Sequence, residues 1–256
     1  MKREGQENRF KKGFRVSPRV ILLAIITLLL IGALSLRISY NHYSHHADEH
    51  AILLAESVGS FLSADQISGL EASPNDVDKP EYQQIKNSLI QLKKLNEDIV
   101  FAYIYTQKKG KIYFLADSEI PGSEGYSPPG QEYSEATNTT KQPFEDGESI
   151  LTKPAKDRWG TWVSSLVPVT DLRTGTIIAV LGIDYNSQQW WGDAFVYALK
   201  TTTIVICIYL LLISLSCMAA ILSNLLATSK KLKESERSKS VILANLPGLA
   251  YKCNYD

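Results

Sequence analysis

The residues best suited to chemistry in this sequence are aromatic side chains and carboxylates that recur along its predicted strands. Residues 99–106 alternate aromatic with aliphatic side chains, so Tyr103 and Tyr105 share one face of a strand. Aromatic walls combined with a few fixed polar groups are typical of small-molecule pockets. The candidate ligand-binding residues are Tyr103, Tyr105, Tyr113, Asp117, Asp157, Trp159, Trp162, Ser164 and Asp184.

Asp184 is the most informative of these residues because it ends an otherwise apolar strand. A carboxylate there must reach water, cap a turn or meet a cation. Carboxylates beside aromatic walls favour an amine or an amino acid over an anion. Lys156 and Arg158 could instead hold a carboxylate, so the charge of the ligand stays open. The alternative is that the aromatic residues form a second hydrophobic layer beneath a long loop.

The histidines form a second cluster, since all four fall between His42 and His50. On a helix, a pair spaced i, i+4 such as His46 and His50 can chelate Zn²⁺ or Ni²⁺. His42 and His50 cannot share one ion, because they lie about 12 Å apart along the axis. The other interpretation is a polar helix face whose charge responds to pH. We predict no metal site, and His46 and His50 are the residues that would test this.

Enzymatic chemistry is disfavoured. Asp117, Asp157 and Asp184 could act as acid and base, but residues 37–200 contain no cysteine, no histidine outside the cluster and no nucleophile motif. We therefore predict no catalytic residue and no cofactor in these 256 residues.

The distribution of charge points to a membrane. The net charge of zero combines +5 in residues 1–19, −8 in residues 37–200 and +3 in residues 228–256. The two intervening segments, 20–36 and 201–227, contain no charged residue. Seventeen residues of helix reach about 26 Å, which is close to the hydrocarbon thickness of a bilayer. This distribution excludes a simple soluble domain and argues against nucleic-acid binding.

We therefore predict transmembrane helices at 20–38 and 201–227. For the first segment the alternative is a cleaved signal peptide, although its apolar run exceeds the usual length of such a region. Lysine and arginine flank the first helix on its N-terminal side and the second on its C-terminal side, which places both termini in the cytoplasm. The region between the helices is then outside, and it contains no cysteine that could form a disulfide.

The spacing of apolar residues predicts an α+β domain between the two spans. Helical periodicity continues from residue 47 and recurs at 82–95, whereas 99–117 and 161–184 have the patterns of two β-hairpins. A long loop, 119–147, separates the hairpins and is expected to be functional or mobile. The result is an antiparallel sheet with helices collected on one side.

Two runs in this region carry a family resemblance. They are FAYIYTQKKGKIYFLADSE and, after a Gly/Pro-rich loop, DRWGTWVSSLVPVTDLRTGTIIAVLGIDY. Over residues 40–195 the chain resembles the Cache family of extracytoplasmic sensor domains. The resemblance implies a PAS-like antiparallel sheet with a long N-terminal helix and a small extracytoplasmic ligand.

A second resemblance lies at the cytoplasmic end. Residues 241–256, VILANLPGLAYKCNYD, are similar to the opening of a cytoplasmic PAS domain. In such receptors the chain continues into a histidine kinase, a diguanylate cyclase or an HD-GYP phosphodiesterase. We interpret the chain as the input half of a two-component sensor histidine kinase, with a c-di-GMP signalling receptor as the alternative. A membrane-anchored sensor or interaction protein without its own output domain is the alternative from another class.

These interpretations define the expected organisation and partners. The expected partners are an extracytoplasmic amino acid, amine or carboxylate, membrane lipid and a second copy of the chain, with no nucleic acid. The predicted segments are a basic cytoplasmic N-terminus (1–19), the first transmembrane helix (20–38), the sensor domain (39–198), the second transmembrane helix (201–227), a linker helix (228–240) and the start of a PAS domain (241–256).

Overall fold

The structure is a computed structural model that describes residues 17–244. Most of the predicted basic N-terminus, up to residue 16, and the PAS-like segment from residue 245 onward lie outside the described residues. The described chain divides into two compact units. One consists of residues 17–35 and 202–244, and the other is Leu36–Thr201.

The fold class predicted from the sequence is confirmed: the chain is α+β, with an antiparallel sheet, a long N-terminal helix and two apolar helices. Two short strands, at 150–151 and 155–156, lie where no strand was predicted. The elements in chain order are α1 (Pro18–Phe61), α2 (Ala64–Ser68), a 3-10 helix (Pro74–Asp78), α3 (Pro80–Leu95), β1 (Ile99–Lys108), β2 (Lys111–Asp117), α4 (Asn138–Asp146), β3 (Ile150–Leu151), β4 (Ala155–Lys156), β5 (Thr161–Asp171), β6 (Thr176–Asn186) and α5 (Ser187–Ala244).

The sheet brings distant parts of the chain together. Its strand order is β2-β1-β6-β5-β3, with β4 also paired to β5, and neighbouring strands are antiparallel. In this register Tyr103 on β1 lies opposite Gly182 on β6. Ser164 on β5 lies opposite Asp184 on β6. The two predicted hairpins are therefore joined through β1 and β6.

The two faces of the sheet have different partners. One face carries aliphatic side chains such as Ile104 and Leu181, and it packs in one hydrophobic core with α3 residues such as Ile85 and Leu89. The other face carries Tyr103, Tyr105, Ile112, Phe114, Leu166 and Val180, which form a second buried cluster. Successive residues of a strand point to opposite faces, which is why the alternation in β1 separates the two clusters.

Helices α1 and α5 are long and apolar enough, by length and composition, to cross a membrane. No residue of either apolar window is buried within the structure. Inside the unit that these segments form, Thr27 Oγ1 lies 2.6 Å from the hydroxyl of Tyr209. Thr202 Oγ1 donates to Ser35 Oγ at 3.4 Å. Polar contacts of this kind are a common means of association between helices in lipid.

Candidate functional site

The aromatic face of the sheet contains a small cavity, which we call the aromatic cavity. Its volume is about 20 Å³, roughly the space needed for one water molecule. Strands β1, β2 and β6, the loop after β2 and the turn before β5 all contribute to its wall. The lining residues are Phe101, Tyr103, Phe114, Asp117, Gly125, Ser127, Tyr133, Asp157, Trp159 and Asp184.

Edge-to-face and tilted ring contacts build the apolar part of the wall. The ring of Phe114 lies 5.6 Å from that of Tyr103, 5.3 Å from that of Tyr133 and 6.0 Å from that of Trp159. These separations are in the range that aromatic pairs prefer. Phe114 thus joins a strand residue, a loop residue and a turn residue into one aromatic wall.

Asp184 is a buried carboxyl of the aromatic cavity, with 5% of its surface exposed. The hydroxyl of Tyr103 donates a hydrogen bond to its Oδ1 at 3.0 Å. Burial raises the pKa of Asp184 to about 7, and the nearby Asp157 adds to the rise, while hydrogen bonds from Ser164 and Tyr103 oppose it. The carboxyl therefore changes its protonation near neutral pH, which suits a group that exchanges a proton for a cationic ligand.

Asp157 organises the turn that carries Trp159. Its Oδ1 accepts hydrogen bonds from the backbone N–H of Trp159 at 2.9 Å, from that of Gly160 at 3.0 Å and from Nε1 of Trp162 at 3.0 Å. Its Oδ2 accepts one from the hydroxyl of Tyr133 at 3.2 Å. All four donors are neutral, so the negative charge of Asp157 is solvated by dipoles without a salt bridge.

Asp117 differs from the other two carboxyls because it has a cationic partner. Lys86 Nζ on α3 lies 3.1 Å from its Oδ1, and 7% of the Lys86 side chain and 6% of the Asp117 side chain are exposed. The backbone N–H of Ser127 donates to Oδ2 at 2.6 Å. Burial raises the pKa of Asp117, whereas these hydrogen bonds and the charge of Lys86 oppose the rise. The pair also ties α3 to the loop after β2.

Five of the nine predicted residues line the aromatic cavity: Tyr103, Asp117, Asp157, Trp159 and Asp184. Three others contact or support it from behind. Nε1 of Trp162 donates a hydrogen bond to Asp157, and Ser164 hydrogen-bonds to Asp184. Tyr105 is fully buried, and its hydroxyl donates to the carbonyl of Thr140 at 2.8 Å.

Tyr113 does not line the cavity. A β-bulge between Ile104 and Tyr105 shifts the register, so that Tyr105 pairs with Phe114 and Thr106 pairs with Tyr113. Neighbouring residues of a strand face opposite ways. Phe114 therefore takes the place on the aromatic face that the sequence pattern assigned to Tyr113.

Sequence reasoning missed Phe101, Phe114, Gly125, Ser127 and Tyr133. The alternation of β1 already placed Phe101 on the face of Tyr103, and this signal was available. Tyr133 lies in the long loop, where no periodicity marks its direction. Arg158 does not line the aromatic cavity: its guanidinium bonds to Glu135 and lies 4.9 Å from the ring centre of Trp159.

The histidine cluster lies on α1. His45 and His46 contact Glu49 at 3.7 and 3.6 Å. His46 and His50 line a second cavity at the other face of the sheet. Within residues 17–244, no group of three or more His, Cys, Asp or Glu side chains is placed to hold a metal ion.

No protein-family model and no curated protein matches the sequence. Solved structures with a similar fold include the ligand-binding domain of the Campylobacter jejuni chemoreceptor Tlp3 in complex with L-valine, at 12% identity and a TM-score of 0.45, covering 70% of this chain and 66% of that one. The ligand-binding domain of the Pseudomonas aeruginosa amino acid chemoreceptor PctC in complex with GABA is 17% identical with a TM-score of 0.42, covering 64% of this chain and 66% of that one.

An extracellular ligand-binding receptor from Desulfohalobium retbaense is similar at 13% identity and a TM-score of 0.45, covering 64% of this chain and 27% of that one. The chain thus spans just under two thirds of the length of the two chemoreceptor domains. At these identities and TM-scores, the function of this chain has to be inferred from its own residues.

Proposed function

We propose that the chain is the sensory input half of a membrane receptor, and that its outer domain binds a small amine or amino acid in the aromatic cavity. One observation carries the proposal. The buried carboxyl of Asp184 lies in an aromatic enclosure that also contains Asp157, and no lysine or arginine lines this cavity among the described residues. Such a site is complementary to a positive charge.

A protonated amine would gain from two interactions in this cavity. It would pair with Asp157 and Asp184, which lack a cationic partner of the kind that Lys86 provides to Asp117. It would also lie against the faces of Trp159 and Tyr133, and cation–π contacts contribute roughly 0.5–2 kcal/mol depending on desolvation. A purely anionic ligand would meet the like charges of the two aspartates. We therefore rank amines and amino acids ahead of carboxylates.

Ligand entry requires the cover of the aromatic cavity to move, since about 20 Å³ is too small for an amino acid. The cover is the loop between Asp117 and Asn138, which is tied to the turn by a hydrogen bond from Trp159 Nε1 to the carbonyl of Glu124 at 3.1 Å. Binding would select a state in which this loop lies farther from the sheet. The size of the response would follow the difference in affinity between the two states.

The continuity of the helices supports a membrane receptor. Helix α1 runs from its apolar segment to Phe61, and α5 runs from Ser187 through its apolar segment to Ala244, with no break in either. We propose that both helices span the cytoplasmic membrane in contact with lipid, that both termini are cytoplasmic and that the receptor is a homodimer. Its output would be a histidine kinase, with a diguanylate cyclase or HD-GYP output as the alternative.

Calorimetric titration of the full chain in lipid nanodiscs tests the ligand class. The panel contains zwitterionic amino acids, primary amines and carboxylates of similar size. We expect at least one amine-bearing compound to bind, and Trp159→Ala to weaken it about tenfold through lost cation–π contact. Trp191→Ala, which removes an indole outside both cavities, should leave the affinity unchanged. Binding of carboxylates alone, or of no compound in the panel, would contradict the proposal.

A further inference from the structure

A second and larger cavity lies on the opposite face of the sheet. Its volume is about 350 Å³, within the usual range for small-molecule sites. Residues of α1, of the segment before β1, of the end of β6 and of the first turns of α5 line it, all within the unit Leu36–Thr201. Tyr43, Asp98, Tyr185, Trp190 and Asp193 are among the lining residues.

The sheet separates this cavity from the aromatic cavity. Asp184 and Tyr185 are consecutive residues of β6, and consecutive strand residues point to opposite faces. Asp184 lines the aromatic cavity, whereas Tyr185 lines the second one and packs in the aliphatic core. A variant at either residue therefore addresses one cavity and leaves the wall of the other in place.

The hydroxyl of Tyr185 is a buried polar group beside the second cavity. Tyr185 is 5% exposed, and its Oη is buried with no hydrogen-bond partner among residues 17–244. Burial, with the charges of Asp98 and Asp184, raises the pKa of Tyr185 to about 12, so the group stays a neutral hydroxyl. A buried hydroxyl without a partner is unfavourable. A ligand group that bonds to the hydroxyl, once the phenol ring turns toward the cavity, would remove that cost.

The lining of the second cavity includes two carboxylates, two histidines and, among the described residues, no lysine or arginine, which favours a cationic ligand. Asp98 and Asp193 line it, and within the described chain neither is paired with a lysine or arginine. Gln189 Nε2 donates a hydrogen bond to Oδ1 of Asp98 at 3.4 Å. Both carboxylates act on the phenol of Tyr43, whose pKa is raised by burial and then by Asp193 and Asp98. The two carboxylates thus lie near Tyr43 at the same part of the cavity wall.

The remaining wall is aromatic and suits the apolar part of an organic ligand. The rings of Tyr185 and Trp190 lie 5.0 Å apart, and Tyr43 provides a third ring. A metal ion is a poorer fit, because no group of three metal-ligating side chains exists among the described residues. We propose that this cavity binds a small organic cation, a protonated amine with an aromatic or aliphatic body, paired with Asp98 and Asp193 and hydrogen-bonded to Tyr185.

The test is calorimetric titration of the full chain in lipid nanodiscs with 2-phenylethylamine and its neutral analogue 2-phenylethanol. We expect saturable binding of the amine and much weaker binding of the alcohol. The double variant Asp98→Asn with Asp193→Asn should weaken binding of the amine about tenfold, since two exposed charge pairs are lost. Asp78→Asn removes one carboxylate outside both cavities and should leave the affinity unchanged.

Two further variants separate a binding role from a structural one. Tyr185→Phe keeps the ring and removes the unpartnered hydroxyl, so we expect weaker amine binding with no fall in thermal midpoint. Trp159→Ala alters only the aromatic cavity and should leave phenylethylamine binding intact, which distinguishes this inference from the function proposed above. Equal binding of the alcohol, unchanged affinity in the Asp98 and Asp193 double variant, or loss of binding with Trp159→Ala would each overturn the inference.

Discussion

The hydroxyl of Tyr103 on β1 donates a 3.0 Å hydrogen bond to Oδ1 of Asp184 on β6. The two residues are not directly opposite each other, because Tyr103 pairs with Gly182 and Asp184 pairs with Phe101. The tyrosine ring reaches diagonally along the neighbouring strand, across the position of Gly182. A phenol on one central strand thereby orients a buried carboxyl on the next.

Asp184→Asn should change the pH dependence of stability. The folded protein holds the proton of Asp184 up to a pKa of about 7, whereas the ordinary value is 3.8. The unfolded chain therefore releases this proton at a lower pH than the folded protein does. As a result, the free energy of unfolding falls as the pH rises from about 4 to about 7. The wild-type loss is on the order of 4 kcal/mol. We expect thermal midpoints measured across this pH range to decrease in the wild type and not in Asp184→Asn.

Asp78→Asn is the matched control for this measurement, since it removes an exposed carboxyl, and its profile should follow the wild type. Parallel profiles for wild type and Asp184→Asn would show that the carboxyl does not titrate in this window.

Gly182→Ala should destabilise the domain. A Cβ at residue 182 would lie 2.4 Å from Cε2 of Tyr103, so the ring would have to leave its position over the strand. Overpacking of this kind costs about 1–3 kcal/mol, and the bond to Asp184 would be strained as well. Denaturant titration of the full chain in detergent measures the change.

Gly192→Ala provides the comparison, because the residue is helical and a Cβ there would meet no atom within 4 Å beyond its chain neighbours and the nearby helix backbone. That variant should be neutral or slightly stabilised. An unchanged midpoint for Gly182→Ala would mean that the ring of Tyr103 has room to move.

Lys86→Met should be among the most damaging single changes in the outer domain. Lys86 Nζ contacts Asp117 Oδ1 at 3.1 Å and also donates to the carbonyl of Glu119 at 2.6 Å. Its removal leaves a buried carboxylate unpaired, which costs about 3–5 kcal/mol. We expect a correspondingly lower denaturation midpoint, partly recovered when Asp117→Asn is added.

Lys111→Met breaks the pair with Glu132, in which 58% of the Lys111 side chain and 41% of the Glu132 side chain are exposed. Water screens such pairs, so this control should lose much less stability. Equal losses in the two lysine variants would refute the role assigned to burial.

The unit Leu36–Thr201 should fold without the apolar segments. It is compact by itself and contains the whole sheet and both hydrophobic clusters. We expect circular dichroism to show that the isolated fragment unfolds in one cooperative thermal transition. A compound that binds the full chain should raise the thermal midpoint of the fragment. A fragment ending at residue 160 lacks β5 and β6 and should remain unfolded.

Local patterns in the sequence were sufficient for the architecture. The uncharged segments 20–36 and 201–227 fall within two long apolar helices, and the alternation in β1 separated the aromatic from the aliphatic face. These features depend on hydropathy and side-chain period, which short stretches of chain carry. For the same reason Tyr103 and Asp184 could be assigned to one candidate site before their contact was visible.

Tertiary structure alone decided which side chains meet. The bulge in β1 and β2 replaced Tyr113 by Phe114, the loop brought Tyr133 to the aromatic cavity, and Lys86 reached Asp117 from α3. Strand register, loop packing and burial arise from contacts between residues far apart in the chain, which local periodicity does not encode. Burial likewise raised the pKa of Asp184, because desolvation depends on everything that surrounds a group and not on its neighbours in sequence.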